Sequence, residues 1–150
     1  LKGVLDWLVA AAILPLSLPV MAGAAVAIWL DDGGPILFRQ KRVGHRGRLF
    51  HVLKFRTMRT QLLPPTDPLD AAMTRHLDSR VTRVGAILRR SRIDELPQIF
   101  NILRGEMSWI GPRPEAEVLS RYFEGEIPFY RYRHVVKPGI SGWAQVTQGH

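Results

Sequence analysis

The sequence predicts a mainly helical α+β protein, in which an N-terminal kinked re-entrant membrane helix precedes a compact cytosolic domain with a small β-hairpin. Three observations predict this class. An uncharged apolar segment runs from Trp7 to Leu30. Two alternating apolar runs then flank a glycine-containing turn, and later segments place apolar residues at helical spacing. We therefore assign residues 1–32 to the membrane helix and residues 33–150 to the cytosolic domain.

The apolar segment has the length of a membrane helix, which needs about 20 apolar residues. Pro15 and Pro19 stand near its middle, and each removes a backbone donor and crowds the carbonyl one turn back. Lys2 precedes the segment and a basic body follows it, and basic flanks favour the cytoplasmic side. The pattern favours a re-entrant helix broken at these prolines, with a full transmembrane span as the alternative.

The charge of the chain indicates an anionic partner. Its 21 Lys+Arg residues exceed its 13 Asp+Glu residues, which gives a formal net charge of +8. Such an excess attracts nucleic acid, phosphorylated small molecules or an anionic membrane leaflet, and charge alone does not choose among them. The absence of cysteine excludes a disulfide framework and a cysteine zinc site.

The body is predicted to contain one hairpin and three helices. Because the chain begins at Leu1 and ends on a turn-rich run, we expect it to be part of a longer protein. The predicted strands are residues 36–40 and 50–56, around a turn at 44–47. The predicted helices are residues 81–90, 94–103 and 115–123. The proline-containing residues 60–78 and the C-terminal residues 137–146 are predicted to be mostly loop.

The densest candidate for chemistry is the segment 89–98, where Asp94 and Glu95 follow three arginines. Phosphoryl transfer needs a nucleophile, cations that neutralise phosphate oxygens and often a divalent metal. Asp94 suits attack on phosphorus, and Glu95 suits Mg²⁺ binding or positioning of the nucleophile. The arginines and helix amides suit binding of a diphosphate.

A purely structural role for the same residues is the alternative. Ser91-x-x-Asp94 resembles a capping box, and acids in a first turn suit the helix dipole. If Ser91 is the cap, Pro97 falls inside the helix at a cost of about 3 kcal/mol. With Asp94 as the cap, Pro97 lies in the tolerated first turn, so we expect Asp94 at the helix tip. The spacing alone leaves both roles open.

Three other basic segments are candidates for anion binding. Arg113 lies between two prolines, so its backbone has little freedom and its guanidinium is suited to binding a phosphate. A rigid entry to the following helix explains the two prolines equally well. Lys54 and Arg56 share one face of the second strand, which fits an anionic site or a solvated sheet face. The turn at residues 40–46 suits lipid headgroups or RNA.

Taken together, ordered motifs along nearly the whole chain resemble the bacterial sugar transferase family, the monotopic phosphoglycosyl transferases. The motifs are Lys2-x-x-x-Asp6, Gly34-Pro35-x-x-x-x-Gln40-x-Arg42-x-Gly44, Lys54-Phe-Arg-Thr-Met58, Arg89-x-x-x-x-Asp94-Glu95-Leu-Pro-Gln, Asn101-x-x-x-Gly105-x-Met107-Ser108, Gly111-Pro-Arg-Pro114 and Pro138-Gly-Ile-x-Gly-Trp-Ala-Gln-Val146.

The resemblance implies a re-entrant helix that breaks near Pro19. It implies that Asp94 is a covalent nucleophile and that Asp94 and Glu95 form the catalytic pair, with Mg²⁺ required and held there. Lys54, Arg89 and Arg113 match positions that the family uses around phosphate and metal.

The implied reaction is ping-pong transfer of a sugar-1-phosphate from a UDP-sugar to polyprenyl (undecaprenyl) phosphate, with release of UMP. This is the first membrane step of bacterial exopolysaccharide, capsule, O-antigen or glycoprotein glycan assembly. The resemblance further implies membrane lipid as a partner, no nucleic acid, and a location on the cytoplasmic face of the bacterial inner membrane. It leaves the sugar and the oligomeric state open.

The chain departs from the family pattern at two places, and two other functions compete. Leu18 stands where many members have Ser before the breaking proline, and Thr147-Gln148-Gly149 replaces a common Asn-Gly-Arg. One rival is a membrane-tethered basic module that binds RNA or anionic lipid without catalysis. The other is a Mg²⁺-dependent transferase of ternary-complex type, in which the two acids only bind metal.

Overall fold

The computed structural model describes residues 1–59, 80–143 and 147. The predicted loop at 60–78 lies outside the described residues, and so do residues 144–146 at the end of the C-terminal motif. The described helices are α1 (Lys2–Asp32), α2 (Arg83–Arg90), α3 (Gln98–Leu103) and α4 (Glu117–Glu126). The described strands are β1 (Leu37–Val43), β2 (Leu49–Phe55), β3 (Ser108–Ile110) and β4 (Gly139–Ser141).

The mainly helical α+β class with a long apolar N-terminal helix and a small hairpin is confirmed. Strands β1 and β2 pair antiparallel, from Leu37 opposite Phe55 to Val43 opposite Leu49. Strands β3 and β4 pair parallel, with Ser108 opposite Gly139. The strand at 108–110 was not predicted, because three residues are too short to show an alternating pattern.

Strand β2 contributes side chains to both core clusters of the fold. Phe50 and Val52 lie on one face and Phe55 on the other, as the strand period of two requires, while Leu49 and His51 are exposed. The first core cluster consists of Ala10, Phe50, Val52, Ile99, Ile102 and Met107. The second core cluster consists of Ala24, Ile28, Phe55 and Leu88. Helix α1 contributes to both clusters, so the apolar helix and the body form one packed unit.

Asn101 fixes α3 against the edge of β2 that faces away from β1. Its side chain is fully buried. Its Oδ1 accepts from Leu53 N at 3.0 Å, and its Nδ2 donates to His51 O at 2.8 Å and to Glu106 Oε2 at 2.7 Å. Buried backbone groups need such partners. One amide side chain therefore completes the hydrogen bonding of the strand edge and sets the distance between α3 and the hairpin.

Polar contacts hold both ends of α1 on the body. At its start, Lys2 Nζ donates to Ile110 O at 2.8 Å, and Trp109 Nε1 donates to Asp6 O at 3.1 Å. At its end, Arg56 donates to Asp32 in an ion pair in which Arg56 is buried. The solvated-face interpretation of Arg56 is therefore wrong, because the end of α1 covers it.

The buried stripe of α1 is narrow, and the rest of the helix is exposed. Its buried residues are Asp6, Ala10, Ser17, Ala24 and Ile28. Only 17% of its most apolar 18-residue stretch is buried, which is far less than a core helix requires. By length and composition, α1 is able to cross a membrane. The helix ends at Gly33, which has the positive φ of 66° that favours glycine there.

Helix α1 continues through Pro15 and Pro19 as one helix. Ser17 Oγ donates to Leu14 O at 2.8 Å. The carbonyls that lose their usual donors to the two prolines are those of Ala11 and Pro15, so Ser17 does not serve either of them. The bend at these prolines stays a prediction.

We predict that Asn101→Ala destabilises the protein by about 3 kcal/mol, because the variant leaves Leu53 N and His51 O without partners inside the fold. Thermal or denaturant unfolding of the detergent-solubilised protein measures this. Arg121→Ala is the control, since this side chain is 78% exposed and should change stability by less than about 0.5 kcal/mol. Equal stability of the two variants would contradict the structural role of Asn101.

Candidate active site

A narrow cleft opens where the hairpin, the turn before α3 and the C-terminal strand meet. Its walls combine cations from several elements with one acid and a few apolar residues. The lining residues are Arg42, Val52, Lys54, Glu95, Gln98, Arg113, Pro114, Gly139 and Ile140. Three of the sequence-predicted site residues, Lys54, Glu95 and Arg113, are thus brought together from positions far apart in the chain.

The centre of the cleft is an ion pair between Lys54 and Glu95. Lys54 Nζ lies 2.7 Å from Glu95 Oε1, and both side chains are largely buried. Arg113 Nη1 lies 4.0 Å from the same oxygen. Burial by itself would raise the pKa of Glu95, but Lys54, Arg113 and Arg92 hold that pKa below its ordinary value. Glu95 is therefore an ionised carboxylate.

Burial has the opposite consequence for the lysine. It lowers the pKa of Lys54 from its ordinary value, and Glu95 only partly opposes this shift. Lys54 extends from the face of β2 that also carries Val52, and Glu95 lies in a 3-10 turn at Ile93–Glu95. The pair thus joins the hairpin to the turn that carries both predicted acids.

Asp94 lies beside this pair and is 8% exposed. Its Oδ1 is buried and has no hydrogen-bond partner among the described residues. Burial raises the pKa of the Asp94 carboxyl above its ordinary value, while the charges of Lys54, Arg89 and Arg92 act to lower it. Asp94 is not among the residues that line the cleft. Its poorly solvated carboxylate is more basic than an ordinary aspartate, and no hydrogen bond from a described residue occupies its Oδ1.

The local chain path explains why Asp94 is not a helix cap. Arg92 has a positive φ of 61°, which turns the chain after α2 and starts the separate 3-10 turn. Ser91 Oγ donates back to Ile87 O at 2.9 Å and so closes α2. Pro97 precedes α3, and no side chain caps that helix. The predicted caps at Ser91 and Asp94 are therefore wrong, and a capping role does not account for Asp94.

Arg89 reaches the site from α2 and is oriented by a threonine. Its Nε donates to Thr57 Oγ1 at 2.8 Å. Helix α2 approaches Thr57 closely because Gly85 has no side chain, and a Cβ there would lie 2.2 Å from Thr57 O. Arg89 acts on Asp94 through its charge, and it is not among the residues that line the cleft.

Sequence reasoning missed Arg42 and Gln98 as cleft residues. Arg42 was assigned to a basic surface turn, yet its side chain is only 13% exposed. Burial lowers its pKa, Glu115 opposes that shift, and Arg113 adds to it. The hairpin register is the signal that would have found Arg42, because it places residues 38, 40 and 42 on the same face as Lys54.

The acids of the site fit a magnesium ion only together with a substrate. No group of three or more potential ligands gathers among the residues that the structure describes. Mg²⁺ is usually held by one or two carboxylates and completed by water and substrate phosphates. Asp94 and Glu95 supply two carboxylates of this kind, and the Oδ1 of Asp94 has no hydrogen-bond partner among the described residues.

The arrangement brings together groups that phosphoryl transfer needs. They are a carboxylate whose Oδ1 has no partner among the described residues, an ionised neighbour, and cations from β2, α2 and the segment before α4.

The whole chain, residues 1–150, matches the family described as bacterial sugar transferase.

Several relatives of this chain have a described activity. The chain is 49% identical over 150 residues to the UDP-N-acetylgalactosamine-undecaprenyl-phosphate N-acetylgalactosaminephosphotransferase of Aeromonas hydrophila, covering 100% of this chain and 34% of that protein. It is 48% identical over 145 residues to the UDP-glucose:undecaprenyl-phosphate glucose-1-phosphate transferase of Caulobacter vibrioides, covering 97% and 53%. The identity to the Escherichia coli transferase of the same description is 44% over 147 residues, covering 98% and 31%.

The chain therefore spans about a third to a half of the length of these relatives. The family match extends over all of its residues, and these three relatives align with at least 97% of it. On this evidence, the chain belongs to the bacterial sugar transferase family.

Proposed function

We propose that this chain is the catalytic part of a phosphoglycosyl transferase, which moves a sugar-1-phosphate from a UDP-sugar to polyprenyl phosphate. The products are a polyprenyl-diphosphate-sugar and UMP. The relatives' names specify UDP-sugar donors and undecaprenyl phosphate as the acceptor. Because they name two different sugars, the similarity does not select the sugar. The observation that carries the proposal is the buried, unpartnered oxygen of Asp94 beside the Lys54–Glu95 pair.

In the first half-reaction, an oxygen of Asp94 attacks the phosphorus that bears the sugar. The bond from this phosphorus to the bridging oxygen breaks, and UMP leaves with that oxygen and its electron pair. Lys54 and Arg113 neutralise charge on the phosphate oxygens, and their cleft position suits this role. Arg89 stabilises the carboxylate before attack.

In the second half-reaction, a phosphate oxygen of the polyprenyl phosphate attacks the same phosphorus. The acyl-phosphate bond to Asp94 breaks, the new diphosphate bond forms, and the carboxylate is restored. The two steps pass through one covalent aspartyl-phosphosugar, so the donor and the acceptor use the same cationic cleft in turn.

Asp94 and Glu95 are the residues that would hold Mg²⁺ in this proposal. The bound ion would neutralise diphosphate charge and orient the donor. Lys54 already pairs with Glu95, so the lysine and such an ion would jointly set the charge of the cleft.

We further propose that α1 is re-entrant, with its bend at Pro15 and Pro19, and that the body lies on the cytoplasmic face of the bacterial inner membrane. At about 1.5 Å per residue, a helix of 31 residues is about 46 Å long, which exceeds the roughly 30 Å of the hydrocarbon core. Its two ends nevertheless both contact the body, through Lys2 and Asp6 at the start and Asp32 at the end. A body on one side of the bilayer keeps both contacts only if both ends return to that side.

Asp94→Asn is predicted to abolish UMP release from the UDP-sugar in a single turnover, even without the lipid acceptor, because the amide oxygen is a poor nucleophile. Thermal stability should not fall, since the substitution removes a buried carboxylate with an unpartnered oxygen. A panel of UDP-sugars, assayed by UMP release, identifies the donor at the same time.

Glu126→Gln is the matched control for this variant, because it converts an acid to its amide at an exposed position outside the cleft. It should retain wild-type UMP release. Unchanged UMP release by Asp94→Asn would contradict the covalent mechanism. A wild-type protein that releases no UMP but binds RNA or anionic vesicles with steep salt dependence would favour the non-catalytic module.

A phosphosugar should be trapped on the wild-type protein when a labelled UDP-sugar is mixed without acceptor and quenched rapidly. The label should disappear when polyprenyl phosphate is added before the quench. Intact-mass measurement and peptide mapping should place the adduct on Asp94. UMP release that occurs only when the acceptor is present, with no adduct, would indicate the ternary-complex mechanism instead.

Cysteines placed at the two ends of α1 should both be labelled from the cytoplasmic side alone. Leu1→Cys and Asp31→Cys suit this test in a full-length protein freed of other cysteines, because both positions are exposed. Labelling of either cysteine by an impermeant reagent from the periplasmic side would contradict the re-entrant topology and would leave the proposed chemistry intact.

A further inference from the structure

Arg113 reaches the cleft with a side chain that little else restrains. It is 36% exposed, and the 4.0 Å approach to Glu95 is its one side-chain ion pair among the described residues. Long cationic side chains lose rotamer entropy when they are fixed. An arginine that must meet a phosphate at the correct angle therefore depends on how its backbone is held.

Three successive carbonyls around Arg113 each accept a hydrogen bond from a different part of the chain. Pro112 O accepts from Gly139 N at 3.0 Å. Arg113 O accepts from Arg133 Nη2 at 2.7 Å, and Pro114 O accepts from Arg42 Nη1 at 3.1 Å. The two flanking prolines have no N–H groups, so these carbonyls are the main polar means of fixing the segment.

Glu115 joins the two arginines that make these contacts. Its Oε2 lies 3.8 Å from Arg42 Nη1, and its Oε1 lies 3.7 Å from Arg133 Nη2. Its backbone oxygen accepts from Val43 N at 3.0 Å, which ties the segment to the end of β1. We call Arg42, Glu115 and Arg133 the arginine clamp.

The donors of Arg42 are committed to the protein. Its Nε and Nη2 donate to Gln40 Oε1 at 3.1 Å and 2.6 Å, and its Nη1 serves Pro114 O. Arg133 is similarly engaged, since it donates to Tyr130 Oη and lies over the Tyr130 ring at 4.7 Å. Although Arg42 lines the cleft, each nitrogen of its guanidinium already donates to the chain, so it is better suited to positioning than to binding phosphate.

We propose that Arg42, Glu115 and Arg133 are positioning residues, which fix the backbone of Arg113 so that its guanidinium meets the donor phosphate. This inference rests on the proposed transferase function. It assigns a role to residues that lie about 70 and 20 positions from Arg113 in sequence, on β1 and on the 3-10 turn at Tyr130–Val135. The clamp acts on the reaction only through Arg113.

A double-mutant cycle on the full-length protein tests the clamp, with UMP release from the UDP-sugar as the readout. Arg42→Met and Arg133→Met should each lower kcat by about tenfold or more, because a small misplacement of a phosphate-binding group is costly. Arg113→Met should have a similar effect. In the Arg113→Met background, either clamp substitution should cause little further loss, because the group that it positions is already absent.

Glu115→Gln and Arg42→Lys complete the design. Glu115→Gln keeps the shape and removes the charge that joins the arginines, so it keeps the test available if an arginine variant fails to fold. It should lower kcat less than the arginine variants and lose its effect in the Arg113→Met background. Arg42→Lys keeps the charge and removes the fork, so it should not restore wild-type turnover. Arg121→Met is the matched control, since it breaks an exposed ion pair with Glu117 and should leave kcat unchanged.

The possible outcomes separate this inference from the proposed function. If the wild-type protein is active and the losses caused by the clamp substitutions add to the loss caused by Arg113→Met, the positioning role is overturned. Clamp variants with full turnover would also overturn it. A wild-type protein without UMP release from any UDP-sugar would instead overturn the proposed function. Thermal midpoints measured in parallel identify any loss that follows from unfolding.

Discussion

The Lys54–Glu95 ion pair is the interaction on which the site depends. It joins the hairpin to the short turn that carries both acids, and at 2.7 Å it holds Glu95 ionised in a largely buried place. Breaking one side of such a pair leaves an uncompensated buried charge, which is strongly destabilising. Asn101 helps to hold the two elements of the pair together, because it fixes α3 against the free edge of β2. Residues of the core thereby set the geometry of the acids.

The apolar helix is part of this arrangement and not an appendage. Ala10 lies in the first core cluster, and Ala24 and Ile28 lie in the second. The ion pair between Asp32 and Arg56 links the end of α1 to the residue two places after Lys54. The position of the helix is therefore coupled to the strand that carries the cationic side of the cleft.

Some arginines near the site are committed to the fold, and others act on its acids through their charge. Arg42, Arg56 and Arg133 donate to carbonyls or carboxylates of the chain itself. Arg113 keeps a guanidinium that is partly exposed, and Arg89 acts on Asp94 through its charge. A high count of basic residues is thus a poor guide to an anion-binding surface, because several of these charges already pair with acids of the chain itself.

The sequence by itself determined the class, the hairpin, the extent of the apolar helix and the clustering of Asp94 and Glu95 with arginines. These features depend on local periodicity and composition, which the chain shows directly. Asp94 was nevertheless predicted as a helix cap, and only the structure revealed the turn at Arg92 that moves it away from a helix end. The choice between a capping carboxylate and an unpartnered one depends on a single backbone conformation, which the residue types do not specify.

The tertiary structure alone decided which side chains meet. Three features link residues that are distant in sequence. They are the burial of Arg42, the parallel pairing of β3 with β4, and the joining of Arg42 and Arg133 through Glu115. Such contacts follow from how the elements pack and from the register of the hairpin, and no local pattern records either. The residue types that phosphoryl transfer requires can therefore be read along the chain. Their orientation follows from packing, because each guanidinium binds whichever acceptors the fold brings within its reach.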